Sequence, residues 1–440
     1  MYYTKLILVV ALLSLCTVTT GGCWGRTEVD DLAFVTAIGL DRGEDNSLYL
    51  TLQVTVPRAV AGGEGGGGGG NNNKTSLITT MRGKSILGLI DLANTFIDRR
   101  LSFVHGKVLI IGEELAREGL TPYISELVRF HEIRRTMFLI IAKGTAREFI
   151  TKNKPVLEQN PAKDLEMLTL AGEKTGLIPT SHIHRFLVEM QSLGEESLVI
   201  LAGVNEREQS KQENESNENK YEDNDNILHS GLSPITKSDT HYIAGSSPSV
   251  GGNPVELLGA AVFRKDKMVG EITGEEMRYV LYLKGAFKQG ITIIEDPFAD
   301  GKFIAADLRF GRPVQIRLTR NGSKFHIKIL ITLEGGLIGS QGEEDYTNPG
   351  ILKVIERQLS TEIEKGCNNI IEKAQTLFLA DIFAFGNKAR RLTTTWQEWL
   401  DLNWPEKFPY AEIEASVKIE LRRTGLLFRS PQTTADSNNP

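Results

Sequence analysis

The chain reads as an α+β protein of more than one domain, with mainly antiparallel sheets and packed helices, and three observations point there. Asn321-Gly322 separates two stretches of alternation, Val314, Ile316 and Leu318 before it and Phe325, Ile327 and Ile329 after it, the strongest short-range hairpin signal. Apolar stripes spaced by four, such as Ile355, Leu359, Ile363, Cys367 and Ile371, mark helices between the strand signals. A length of 440 residues, 40% hydrophobic and 24% charged, is ordinary globular composition and enough for two or three cores.

The first element is an address. Met1 to Lys5 carry one positive charge, Leu6 to Leu15 are almost wholly apolar, and the run softens through Thr17, Thr19 and Thr20 into Gly21-Gly22-Cys23. That is the order of a secretory signal, and it falls short of the ~20 apolar residues of a spanning helix. Cleavage before a cysteine that accepts a diacylglyceryl group needs small residues upstream, which Gly21-Gly22 supply, although Thr20 stands where leucine is usual. Cys16 follows the bulky Leu15 and is the poorer acceptor. Residues 1–22 are therefore expected to leave, and Cys23 to carry S-diacylglycerol and N-palmitoyl groups. The alternative is a secreted chain with an unmodified Cys23. Each buried methylene contributes about 0.8 kcal/mol, and two chains anchor stably where one is marginal.

A region 23–204 follows, which can divide into two subdomains. Leu48, Leu50, Leu52, Val54 and Val56 alternate as a half-exposed strand, and Leu32 to Leu40 is expected to pair antiparallel with it. Residues 62–76 are a flexible Gly/Asn loop, with no Gly-Lys-Ser/Thr signature that would make it a phosphate cradle. Ser85 to Ile97 predicts a helix, Val108 to Ile111 a buried strand, Glu113 to Phe130 a helix and Met137 to Ala142 another buried strand. Helices near Ala162 to Ala171 and His182 to Gln191, and a strand at Leu198 to Val204, complete the region.

Residues 205–253 are acidic and polar, then rich in Ser, Gly and Pro, a composition that predicts a disordered insertion without the order of a calcium loop. The C-terminal domain, 254–428, opens with a hairpin, Leu257 to Phe263 and Met268 to Ile272 about Lys265-Asp266-Lys267. Thr273-Gly274-Glu275-Glu276 then makes a capping box that starts a helix. The Asn321-Gly322 hairpin, a long helix over Asn348 to Leu379, a helix from near Asn387 and a last strand over Ile413 to Leu421 follow, with 429–440 as a tail.

Composition excludes some functions. Losing the leader with its one charge, Lys5, takes the net charge from −6 to −7, and no basic patch suited to nucleic acid stands out. With Cys16 removed and Cys23 acylated, Cys367 is alone, so no disulfide framework forms, and its place on a helical stripe reads as packing. His182 and His184 diverge on a helix and read as a surface pair rather than metal ligands. No His-Glu-x-x-His, Gly-x-Ser-x-Gly or Ser-x-x-Lys pattern occurs, and no cofactor motif. A carboxylate pair for glycan cleavage has no fixed spacing and stays open. Trp396, Trp399, Trp404 and Phe408 form either core anchors or a binding platform, core being the simpler reading.

Several segments share one order with a known family. Gly22-Cys23-Trp24, Glu28 to Phe34 and Ile38-Gly39-Leu40-Asp41 resemble the opening of the Ger(x)C family, the lipoprotein C subunits of spore germinant receptors. Gly259 to Lys267 with Val269-Gly270, then Asp381-Ile382-Phe383-Ala384-Phe385-Gly386, Trp396, Trp404, Phe408 and Arg423-Thr424-Gly425 resemble it downstream. Gly25 stands where an acidic residue is usual, and Leu392-Thr393-Thr394-Thr395 lacks the usual proline. The resemblance implies a non-enzymatic subunit, anchored on the outer face of the inner spore membrane. It would work beside two integral membrane subunits of a nutrient receptor. A substrate-binding lipoprotein of an importer, with two parallel β-α-β lobes, and a lipid-anchored hydrolase are the alternatives.

Overall fold

The protein is described by a computed structural model over residues 2–19, 28, 31–55, 76–205, 241–249, 251–322 and 324–423. Residues 2–19 form one helix, α1 (Tyr2–Thr19), and among the described residues no helix is long and apolar enough to cross a membrane.

The larger sheet has nine strands: β1 (Leu32–Arg42), β2 (Leu48–Thr55), β3 (Ser76–Gly83), β4 (Arg100–Ser102), β5 (Val108–Gly112), β6 (Phe138–Ala142), β7 (Leu198–Val204), β8 (Val255–Arg264) and β9 (Lys267–Ile272). Its order is β3-β2-β1-β5-β6-β7-β8-β9, with β4 beside the start of β1. The expected β1–β2 pair is antiparallel, Leu40 opposite Leu50. The centre is parallel: β1, β5, β6 and β7 run together, while β2, β3, β8 and β9 extend the flanks antiparallel. Strands β5 and β6 are buried at every position, as central parallel strands covered on both faces must be.

The expectation that β2 is half exposed does not hold. Thr51 and Gln53 are buried, because α5 (Ala146–Lys152) and α6 (Pro161–Thr175) cover that face through Phe149, Ile150 and Leu165. Thr51 and Thr80 share a 3.0 Å hydroxyl bond, which is how β2 and β3 tolerate polar side chains there. The opposite face packs under α2 (Ile86–Ala93), α3 (Glu113–Glu118), α4 (Thr121–Arg129) and α7 (Ile183–Gln191). The single helix expected over 113–130 is two. Gly119, at φ +128°, leaves helical geometry, Leu120 donates its N–H to the Asp266 carbonyl, and Pro122 opens the next turn.

The sheet continues past residue 253, since β8 hydrogen-bonds onto β7 and β9 onto β8. Within the stretch read as a disordered insertion, 206–240 lie outside the described residues, but 241–249 are packed. Tyr242 and Ala244 are buried, and the Glu256 carboxylate accepts from Asn205 Nδ2 at 2.9 Å, the Gly245 amide at 2.8 Å and Ser249 Oγ at 3.1 Å. Composition missed this because one carboxylate from β8 organises the turn. The loop over 62–76 lies outside the described residues up to Ser76, where β3 begins.

The second sheet holds β10 (Gln289–Glu295), β11 (Phe303–Phe310), β12 (Gln315–Asn321), β13 (Lys324–Ser340) and β14 (Glu412–Arg423). The Asn321-Gly322 hairpin forms as expected, with Gly322 at φ +63°. Helix α8 (Gly274–Lys284) starts at the Thr273 capping box, and α9 (Pro349–Lys373) starts at Asn348. The helix expected near Asn387 is only α10 (Gly386–Ala389), followed after a break by α11 (Trp396–Leu402) and α12 (Trp404–Lys407). Strand β14 pairs parallel with β13, and α9 occupies amides along it. Asn368 Oδ1 accepts from Ala415 at 3.2 Å, Glu364 from Val417 at 3.0 Å and Glu356 from Leu421 at 2.7 Å. Side chains thus take up part of an edge that could template another strand.

Candidate functional site

Three of the segments singled out by residue pattern converge where the two sheets meet. The first is the β8–β9 turn, where Lys265 holds φ +57°. Its amide donates to Glu196 Oε2 at 2.6 Å and its Nζ to the Ser192 carbonyl at 2.7 Å. Next along the turn, Asp266 Oδ2 accepts from Thr121 Oγ1 at 2.6 Å and from the Thr121 amide at 3.1 Å, tying the turn to the start of α4.

The second segment is Asp381 to Gly386. Asp381 is buried, its carbonyl accepts the Glu196 amide at 2.9 Å, and its carboxylate is ringed by donors. The amides of Phe383, Phe385 and Gly386 reach it at 3.1, 3.2 and 2.7 Å. The third segment supplies the fourth donor: Trp404 Nε1 donates at 2.8 Å. Leu379 at φ +51° and Ala384 at φ +63° hold the loop in left-handed geometry that costs non-glycine residues energy, so the carboxylate must over-determine it. Gly386 leaves no room for a Cβ, which would lie 2.4 Å from Trp404 Cδ1 and 2.6 Å from Gly194 Cα. Around this, Trp404 meets Phe325 edge-on at 5.2 Å and Phe383 stacks on Phe385 at 5.2 Å.

The electrostatics follow from burial. Desolvation pushes Asp381 up to about 6 against the pull of the Gly386, Trp404, Phe385 and Phe383 donors. Glu196 is also raised by burial, opposed by the Lys265 amide and by the charges of Lys265 and Arg264. Asn387 Nδ2 to Glu195 Oε1 at 3.0 Å and Lys284 Nζ to the Ile382 carbonyl at 3.3 Å close the rim. The carboxylate is committed to donors of its own chain, so the cluster works as a joint fixing one sheet against the other.

The other singled-out residues fall elsewhere. Cys23, the expected lipid acceptor, lies outside the described residues, as do Trp24 and Thr424-Gly425. Gly39 and Asp41 serve the first sheet. Asp41 Oδ1 accepts the Ala146 amide at 2.6 Å and Oδ2 the Arg147 amide at 2.9 Å, at the start of α5. A Cβ on Gly39 would meet Ile150 Cδ1 at 2.8 Å, so glycine lets that helix approach. Cys367 is buried on α9, and burial pushes its thiol up, away from the reactive thiolate. His182 starts α7 and lies against Phe138 at 4.4 Å, while His184 is exposed. Among the described residues no group of three or more His, Cys, Asp or Glu is placed to hold a metal ion. Trp399, Trp404 and Phe408 are core, whereas Trp396 is 57% exposed under Arg390, whose guanidinium sits 4.9 Å from the ring centre. Sequence reasoning missed Gly194 and Glu196, because a glycine and a glutamate in a loop have no periodic signal, and it marked Asn387 only as the neighbourhood of a helix start.

Comparison with known proteins gives a consistent result. Residues 25–202 match the family described as the spore germination protein N-terminal domain, and residues 258–425 match the spore germination B3/GerAC-like C-terminal family. Spore germination protein KC of Bacillus subtilis (strain 168) is 26% identical over 427 residues, covering 95% of this chain and 96% of that protein. Spore germination protein B3 of the same organism is 20% identical over 421 residues, covering 94% and 96%. The crystal structure of the GerBC protein superposes with a TM-score of 0.51 at 15% identity, over 87% of this chain and 96% of that one, and shows the same fold.

Proposed function

The chain belongs to the GerAC-like family of spore germination proteins, and from that premise we propose that it is the C subunit of a nutrient germinant receptor, lipid-anchored at Cys23. The carrying observation is that both family matches occur in order and together span most of the chain, so the likeness is to a whole protein. In this reading the subunit is not an enzyme, needs no cofactor and binds no nucleic acid. It stands on the outer face of the inner spore membrane beside two integral membrane subunits and takes part in the response to nutrient.

The physical role of the anchor follows from its position. Nine residue steps separate Cys23 from Leu32 at the start of β1, a reach of at most about 32 Å when fully extended. The three acyl chains expected at Cys23 hold the start of the folded body within that distance of the membrane, and confinement raises its effective concentration near membrane partners, letting weak interfaces assemble. The donor-saturated joint at Asp381 suits such a role, because a body that transmits contact between partners must hold its two sheets in one arrangement.

The test is Cys23→Ala in the spore. The variant is expected in the aqueous fraction instead of the membrane fraction, with the nutrient response reduced to that of a deletion. A full response from the unanchored protein would sink the proposal. Co-purification of two integral membrane proteins with the wild-type chain from spore membranes tests the partners separately.

A further inference from the structure

We infer that the protein pairs with a second copy of itself, edge to edge through β3, so that two larger sheets join about a two-fold axis. An edge strand presents unpaired amides and carbonyls that template another strand, and folded chains usually guard it. The other edges here are guarded. Side chains of α9 occupy amides of β14, Arg278 donates to the Ile291 carbonyl of β10 at 2.7 Å and Gln358 to the Glu295 carbonyl at 2.9 Å. Lys373 donates to the Glu271 carbonyl of β9 at 3.4 Å, and β12 carries the exposed charges of Arg317 and Arg320. Strand β3 has neither device. It pairs with β2 along all of Ser76 to Gly83, and among the described residues neither a strand nor a side chain bonds its backbone on the other side. Its one charge, Arg82, is already paired with Glu44 and Asp45.

The helix above this edge is only half as long as the strand. Helix α2 starts just past the end of β3 and turns back over it, with Leu89 so close above Gly83 that a Cβ there would meet Leu89 Cδ2 at 2.8 Å. Its eight residues advance about 10 Å against about 23 Å for β3, so they cover the second half of the strand. Leu77, in the first half, stays 48% exposed, although it stands opposite Val54 on the face that α2 packs against. The inward flank of α2 is marked by Asn94, which accepts the Leu101 amide of β4, and by Ser85 and Leu87, which bond Glu126 of α4. Leu92 lies about 140° round the helix from Leu87 and so points out over the edge, 49% exposed, followed by Phe96 at 55%.

These features select a second copy as the occupant, because the same surface supplies what each half of the edge lacks. Antiparallel pairing of β3 with its copy about Thr79 or Thr80 keeps the helix-covered faces together. It sets the bare first half of each strand beside the helix-covered second half of the other. Leu77 of one copy then lies below Leu92 of the other, and the two Phe96 side chains approach the axis. Arg82 faces Ser76 or Ile78 of the copy, so the one charge on the strand is never set against its like. The bordering charges, Lys84 after β3 and Asp91, Asp98 and Arg99 on and beyond α2, are two of each sign. A two-fold contact of this kind closes on itself and leaves no further edge to add to at β3. Residues 76–96 give about 20 residues a side, the lower end of a standard interface.

The test is disulfide cross-linking of the full chain in the membranes of a lipidating bacterial host. A residue on the axis meets its own copy, so Thr79→Cys or Thr80→Cys, made separately, is expected to give a product of twice the chain mass under mild oxidation. Thr319→Cys on β12 and the parent chain are expected to stay single, Cys367 being buried with a raised thiol. Adding Leu92→Glu and Phe96→Glu should lower the cross-linked fraction roughly tenfold, with thermal unfolding unchanged because both side chains are exposed. No link at residue 79 or 80 in a folded chain overturns the inference, as does a link at residue 319 of equal yield. A fraction that ignores the two glutamates overturns it too. A product whose mass is not twice that of the chain also overturns it, in favour of a strand from another protein.

Discussion

Two buried aspartates, Asp41 in the larger sheet and Asp381 between the sheets, do related work by different means. Asp41 accepts two amides where α5 begins, so the peptide dipoles of that turn share its charge. Asp381 accepts four donors, one of them an indole from a separate helix, in a loop that two left-handed non-glycine residues hold bent. Burial raises both groups, Asp381 up to about 6. The first carboxylate completes a local cap, and the second holds together segments that are distant in sequence. A carboxylate's importance to the fold thus depends on how many otherwise unpaired donors it serves, and on whether they lie on one element or several.

The largest expected effect comes from Asp381→Ala. Four donors lose their acceptor in a dry interior, at about 1–3 kcal/mol each, which exceeds the ~3 kcal/mol relieved by removing a buried charge. A net loss of roughly 4 kcal/mol should appear in urea unfolding as a lower midpoint. An unchanged midpoint would break the comparison.

Next is the pH dependence. Because Asp381 is raised from about 3.8 to about 6 in the fold, the folded chain holds a proton between pH ~4 and ~6 that the unfolded chain has released. Stability from this group is therefore greatest below pH ~4, falls by on the order of 3 kcal/mol as pH rises to ~6, and is flat above. Asp41 and Glu196 are shifted in the same direction and add to the same sign. Asp381→Asn should flatten the slope measured by unfolding at a series of pH values.

Trp404→Phe keeps most of the packing against Phe325 but removes the indole donor. A loss of about 2 kcal/mol is expected, as for a hydrogen bond to a charged group. The smallest effect is assigned to Asp41→Ala, about 1 kcal/mol, the usual cost of a lost helix cap, with exchange of the Ala146 and Arg147 amides speeding up locally. If this variant cost as much as Asp381→Ala, the distinction between a local cap and a joint would disappear.

Local signals were legible to the degree that the chain uses them locally. The Asn321-Gly322 hairpin, the Thr273 capping box, the Asn348 start of α9 and the fully apolar runs of β5 and β6 each carry their cause within a few residues, and each formed. The errors have a common origin. Residues 113–130 have continuous helical periodicity, and what splits them is Leu120 bonding to Asp266 far along the chain. Residues 241–249 look structureless by composition and are organised by Glu256. In the site, Asp381, Gly386 and Trp404 could be picked out as residues of a family pattern, but their being one cluster could not, nor could the part played by Gly194 and Glu196.

The family, the α+β class and the place where a lipid is expected were readable from the chain alone, since they depend on residue type, local spacing and the order of short patterns. Tertiary structure alone decided that β1, β5, β6 and β7 run parallel, that one nine-stranded sheet crosses the apparent boundary near residue 253, and that Asp381 is a joint. The physical reason is that pairing direction and donor satisfaction are settled between segments far apart in the chain. A residue's neighbours in sequence carry no record of which distant amide or carbonyl will need it.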